Sequence, residues 1–207
     1  MILELREMSD SNIAQIKRNQ RPIRLETLLW AVANEWRQVA IANNLTLHII
    51  MQRQGEYILG DEKRLRWALG NIVDNAIKYT PAGGDLTLEI QDEGDDGYAH
   101  LRVRDNGVGI SKDDMTHIFT RFYRGTPKTS DGDIIRVPGM GQGLATAQHI
   151  IEAHGGTIKI KSNIGVGTAV YMTLPLTVVE GMTLAEPPLG DGDTVALNIK
   201  MRQDVKR

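Results

Sequence analysis

Cysteine is absent from the 207-residue sequence. This excludes disulfides, thiolate metal sites and thiol nucleophiles, and it suits a reducing compartment, so a cytoplasmic location is expected. No excess of basic charge is present: the formal net charge is −2 with both signs spread along the chain. The concentrated field that contacts to nucleic-acid phosphates require is missing, and no nucleic-acid partner is expected. No apolar run approaches the ~20 residues that span a bilayer, and no signal-like series follows Met1. No membrane contact is therefore expected of this stretch, which leaves open an anchored parent protein. Internal repeats are also lacking.

What is present suits one compact domain with extra sequence at its ends. Leu25, Leu28, Leu29, Val32, Trp36 and Val39 recur at helical spacing after Pro22, so a helix over 25–43 packs by one stripe. Leu45, Leu47, Ile49 and Met51 alternate as a strand, and a short run at 57–59 is expected to pair with it. Asp61 is a candidate N-cap for a second helix with the stripe Leu65, Ala68, Leu69, Ile72, Val73, Ala76 and Ile77, stopping near Pro81. DLTLEIQD and YAHLRVRD alternate as a hairpin with one wet face. A short helix over 111–117 precedes a glycine-, proline- and charge-rich loop at 125–139 of the kind used as a lid. GQGLATAQHIIEAHGG reads as a helix, and TIKIKS and GTAVYMTLP as final strands. The expected fold class is an α/β (α+β) two-layer sandwich: a mixed, mostly antiparallel sheet with helices on one face.

Three patterns carry chemistry. In NIVDNAIKYT the helical step puts Asn71, Asn75 and Lys78 on one arc opposite the apolar stripe. Amide oxygens suit Mg²⁺ and an ammonium complements phosphate, although the same arc also suits a solvated helix side. In RDNGVGI, Gly107 and Gly109 let a flat ligand approach the backbone, while Asp105 can accept from an exocyclic amine; alone, the run is also an ordinary turn. In GMGQGLA, Gly139, Gly141 and Gly143 alternate before a helix, and free N–H groups there make a phosphate cradle. Its spacing matches neither a P-loop nor the dinucleotide fingerprint.

In this order, the asparagine helix, DNGVGI, IFTRFYRG, GMGQGLA and GTAVYMTLP resemble the N, G1, F, G2 and G3 boxes of the histidine kinase catalytic domain, over roughly residues 25–176. The resemblance implies the Bergerat ATP-binding fold with a mobile lid, and ATP and Mg²⁺ as cofactors. It makes Asn75 the metal ligand, has Asn71 assist at the phosphates, and sets Lys78 and Tyr79 at the phosphates or sugar. Asp105 would read adenine beside Gly107 and Gly109, with Thr168 beneath the base and contacts extending to Ile110 and Leu144. Phe119 and Phe122 would anchor the lid, and Arg124 would reach the phosphates, so Asn71, Lys78 and Arg124 are the expected catalytic residues. Gln142 departs from the leucine more usual between the last two glycines.

DNA gyrase and mismatch-repair ATPases resemble this fold but carry glutamate four residues before the metal-binding asparagine. Here that place is Asn71, and an amide lacks the basicity to activate water. Phosphoryl transfer to an imidazole needs less help. None of His48, His100, His117, His149 and His154 has the acidic neighbour of the family's phosphoacceptor box, and ordinary structural roles are expected for them. Residues 1–24 resemble the end of a dimerisation helix and linker, and 177–207 form a tail without an assigned role. The resemblance implies as partners a dimerisation and phosphoacceptor domain, homodimeric in the parent, and a response regulator. Two alternatives stay open: a serine kinase like the anti-sigma factors of this fold, and a nucleotide-sensing interaction module without transfer.

Overall fold

The computed structural model describes residues 15–94, 96–127 and 137–179. The ends expected to be a dimerisation helix and a tail therefore lie largely outside the described residues, as does the middle of the predicted lid.

Helix α1 (Leu25–Ala42) and helix α2 (Glu62–Tyr79) supply most of the helical layer, with the short α3 (Lys112–Met115) and α4 (Gly143–Ala153). The sheet contains β1 (Arg21–Arg24), β2 (Thr46–Met51), β3 (Tyr57–Gly60), β4 (Asp85–Gln91), β5 (Tyr98–Asp105), β6 (Thr157–Asn163) and β7 (Gly167–Thr177). Its order is β1-β3-β7-β5-β4-β2, with β6 also on β7. Only β2 and β4 run parallel among these pairs, so the mixed, mostly antiparallel sheet is as expected. No described helix is long and apolar enough to cross a membrane.

The α2 stripe from Leu65 to Ile77 is buried at every position the periodicity named, against Leu86, Leu88 and Ile90 of β4 and Leu101 and Val103 of β5 within one core. Asp61 caps α2 by accepting from the Arg64 N–H at 3.1 Å. The α1 stripe is shorter than its spacing suggests: Trp36 only half packs against the core and Val39 is exposed.

One expectation fails on pairing. The strand at 57–60 does not join β2; it lies between β1 and β7, while β2 takes β4 as its neighbour. Strand β1 itself was not anticipated. Its Pro22 lacks an N–H, which an edge strand tolerates. The hairpin face expected to be wet is also partly closed. Glu89 is 1% exposed, paired with Arg102 opposite it and accepting from Gln52 Nε2 at 2.7 Å. Long polar side chains bury their stems over the sheet and shield the carboxylate.

One buried histidine ties the layers together. His154 donates from Nδ1 to the Ile150 carbonyl at 2.7 Å and accepts the Asp61 N–H on Nε2 at 3.0 Å. It is thus held in one neutral tautomer, and burial pushes its pKa below the usual 6.5. The structural role expected of it is the role it has.

Candidate functional site

Helix α2 turns one side to the core and another to a cavity of about 930 Å³, bounded opposite by the start of α4 and at one end by the loop after β5. That volume falls at the upper end of the range for small-molecule sites. Asn71, Asn75, Lys78 and Tyr79 line it from α2; Asp105, Gly109 and Ile110 from the β5 loop; Gly139, Gly141, Gly143 and Leu144 from the glycine-rich turn; Thr168 from β7; and Arg124 from the lid base. Residues that are distant in the sequence therefore line one cavity.

The β5 loop is built rigidly. Asp105 is 8% exposed, and its Oδ1 accepts from the Gly107 N–H at 2.9 Å and the Thr168 N–H at 3.1 Å. Oδ2 has no hydrogen-bond partner among the described residues and is the acceptor available to a ligand. Burial raises the carboxyl's pKa, opposed by those two N–H bonds. Gly107 does not line the cavity. A Cβ there would come within 2.3 Å of the Tyr79 carbonyl, so this glycine lets the loop close against the end of α2 rather than meet a ligand. Gly109 does line it: φ is +74°, and a Cβ would come within 2.1 Å of the Asn163 carbonyl. Val108 donates to the Tyr79 carbonyl at 3.1 Å, and Gly165 donates to the Val108 carbonyl at 2.9 Å.

Ser162 was not singled out by the sequence. Its hydroxyl accepts the Ile110 N–H at 2.8 Å and lies 2.9 Å from Thr168 Oγ1, joining the loop to β6 and β7. In an alternating strand, a serine with this role looks like any solvent-facing position. Asp74 was also missed, although its place four residues before Lys78 is a helical pairing distance. Its carboxylate holds the Lys78 ammonium, and both line the cavity.

Opposite, Asn71 donates from Nδ2 to the Trp67 carbonyl at 3.0 Å. Its Oδ1 would lie 3.3 Å from a Cβ at Gly143, the first residue of α4, with Asn75 Nδ2 at 3.7 Å. The amides thus stand beside a helix N-terminus that has no side-chain cap. First-turn N–H groups have no partner within a helix, so the geometry favours an anion there.

The lid base departs from expectation. Phe119 packs against the core, but Phe122 is 67% exposed at φ +66°, so it anchors nothing here. Its N–H instead donates to the Gly141 carbonyl at 2.8 Å. Tyr123 supplies the anchor: its hydroxyl donates to Asp114 at 2.6 Å, and Ser111 donates to the other Asp114 oxygen at 2.8 Å. Arg124 lines the cavity, yet its guanidinium donates to the Val137 carbonyl. The described residues contain no group of three or more acidic or histidine side chains able to hold a metal.

Residues 60–178 match the family model described as histidine kinase-, DNA gyrase B-, and HSP90-like ATPase. The sensor protein kinase PmrB of Pseudomonas aeruginosa is 37% identical over 157 residues, covering 75% of this chain and 31% of PmrB. The sensor histidine kinase WalK of Bacillus subtilis is 37% identical over 119 residues, 58% of this chain and 19% of WalK. The chain thus spans a third or less of these curated relatives. Among solved structures, the mycobacterial sensor histidine kinase MprB superposes with a TM-score of 0.64 at 25% identity, over 76% of this chain and 97% of that one. Full-length ShkA in complex with AMPPNP superposes with a TM-score of 0.65 at 27% identity, over 78% of this chain and 32% of that one.

Proposed function

We propose, from the premise that this chain belongs to the family of histidine kinase-, DNA gyrase B- and HSP90-like ATPases, that it is a sensor kinase's catalytic domain which presents ATP-Mg²⁺ to a histidine lying outside this sequence. The observation that carries the reading is Asn71. It lines the cavity beside the first residue of α4, at the position where a hydrolase of this fold would need a carboxylate, and an amide cannot take a proton from water near neutral pH.

The residues fit the nucleotide. Asp105 Oδ2 is an unpaired acceptor on a cavity-lining carboxylate and suits an exocyclic amine, and Gly109 lines the same cavity. Lys78 and the start of α4 suit phosphate oxygens, and Asn75 offers an amide oxygen to a hard cation. When bound, Mg²⁺ neutralises charge on the phosphates. The protein's own contribution is positioning and electrostatic complementarity, which suffice for an acceptor that is itself a nucleophile. Among the described histidines, His154 is a poor acceptor, because it is buried and both ring nitrogens are hydrogen-bonded.

The test is calorimetric titration of the chain with ATP in the presence and absence of Mg²⁺, followed by incubation with γ-labelled ATP. Magnesium-dependent binding that Asn75→Ala abolishes, without acid-labile and base-stable label on the chain, is expected. Label on the chain itself would overturn the external acceptor, and unchanged titration of Asn75→Ala would move the metal elsewhere.

A further inference from the structure

We propose that a basic groove beside the nucleotide cavity is the docking surface for an acidic segment of the partner protein that receives the phosphoryl group. The groove has a volume of about 750 Å³ and lies between residues 15–21 and the start of α2. Arg18, Arg21, Lys63 and Arg64 line it against a single acid, Asp61. That acid is itself occupied: it caps α2 and accepts from Asn19 Nδ2 at 3.2 Å. Arg18, Arg21 and Lys63 therefore present cationic charge to a ligand, and an acidic chain complements it.

Its position gives this charge a purpose. Trp67 lines both the groove and the nucleotide cavity, and it is 53% exposed although it is the largest side chain at their junction. Arg64 lies over its ring at 6.0 Å. Lys63, Trp67, Asn71, Asn75 and Tyr79 follow one another at four-residue steps along one ridge of α2. Each step advances about 6 Å, so Trp67 stands about 12 Å along the helix from Asn75. A segment held by Arg18 and Lys63 and resting on Trp67 would thus deliver its neighbouring residues to the mouth of the phosphate end. An exposed tryptophan between a cationic groove and a reaction cavity is the kind of aromatic anchor that interfaces use.

This inference rests on the reading of the cavity as a nucleotide site, but its test is separate from that reading. The full chain is titrated with a short fluorescent peptide of glutamate and alanine, alone and with saturating AMPPNP. Binding should weaken as salt rises and should be unaffected by AMPPNP. The double variant Arg18→Glu with Lys63→Glu should weaken it by about tenfold or more. Lys63→Glu puts an acid in the first turn of a helix, which favours folding, so a lost signal will not reflect unfolding. The same charge change at Lys159→Glu with Lys161→Glu, on exposed positions of β6, should leave the peptide's affinity within about twofold. Peptide binding should also perturb tryptophan fluorescence in the wild type and not in Trp67→Phe. Equal losses in the two double variants, displacement by AMPPNP, or no peptide binding would each overturn the proposal. ATP titrations of the two double variants should match the wild type. Failure of ATP to bind any of them would instead count against the cavity's assignment.

Discussion

Asp105→Asn tests the adenine-reading role proposed for one oxygen. In the wild type, Oδ1 is fixed by the Gly107 and Thr168 N–H groups, and Oδ2 is the remaining acceptor. An asparagine in the same place must keep its oxygen toward those two donors. Its Nδ2 then takes the place of Oδ2 and offers hydrogens where adenine's amine also offers hydrogens. A hydrogen bond to a charged group contributes ~1.5–3 kcal/mol, so ATP affinity should fall about ten- to hundredfold. Hypoxanthine has a carbonyl in place of the amine, so ITP should gain from the same change.

The assay is calorimetric titration of both proteins with ATP and ITP, with thermal melts alongside. The ratio of ATP to ITP affinity should fall by about a hundredfold. Stability should move the other way. Burial raises the folded pKa of Asp105 above its ordinary 3.8. A carboxyl raised in this way contributes stability that is full below the unfolded value and lost as pH rises through the folded one. The wild type at neutral pH therefore carries a buried charge that asparagine removes, and the variant should melt no lower. An unchanged ATP to ITP ratio would refute the assignment of Oδ2, and a lower melting temperature with parallel loss of both nucleotides would mean a purely structural carboxylate.

Three further outcomes are expected. Lys78→Met should weaken ATP binding by about tenfold and leave adenosine unchanged in matched titrations, because the ammonium complements phosphates and not the base. Gly109→Ala should cost ~1–3 kcal/mol in denaturant melts and weaken nucleotide binding with it, since a positive φ and contact with the Asn163 carbonyl both oppose the methyl group. Thermal stability should decline as pH falls below 6.5, where the unfolded chain takes up a proton that buried His154 resists, and His154→Ala should flatten that part of the profile while lowering stability at pH 7.

The parts of the fold legible in the sequence are those fixed by local periodicity. The α2 stripe and its Asp61 cap are local facts, because helical spacing and a side chain three residues from an N–H decide them. Strand partners are set across long separations, and so β3 was assigned to the neighbour nearest in sequence while its real partners are β1 and β7. Glycines divide in the same way. Gly107 and Gly109 look alike in DNGVGI, and only the position of the Tyr79 carbonyl shows that the first is needed for closure against α2. Ser162 stayed invisible because the partners that define it, Ile110 and Thr168, come from two other segments. Phe122 was misplaced because an aromatic beside a lid has several rotamers and backbone states open to it, and here the backbone takes the left-handed one.

These contacts divide the site into a rigid end and a dependent end. At the base-reading end, Asp105, Val108, Gly109 and Ile110 are fixed by backbone bonds to α2, β6 and β7, all of which pack on the core. At the phosphate end, the glycine-rich turn is held to the lid base by the Phe122 N–H on Gly141 and by Arg124 on Val137, with Tyr123 fastened to Asp114 behind them. Preorganised donors and acceptors bind without reorganisation, whereas a segment that must order first gives up part of its interaction energy. On the proposed assignment, recognition of the base therefore belongs to the fold, while the grip on the phosphates involves the lid base. Lid changes such as Tyr123→Phe should accordingly alter the affinity of ATP more than that of adenosine.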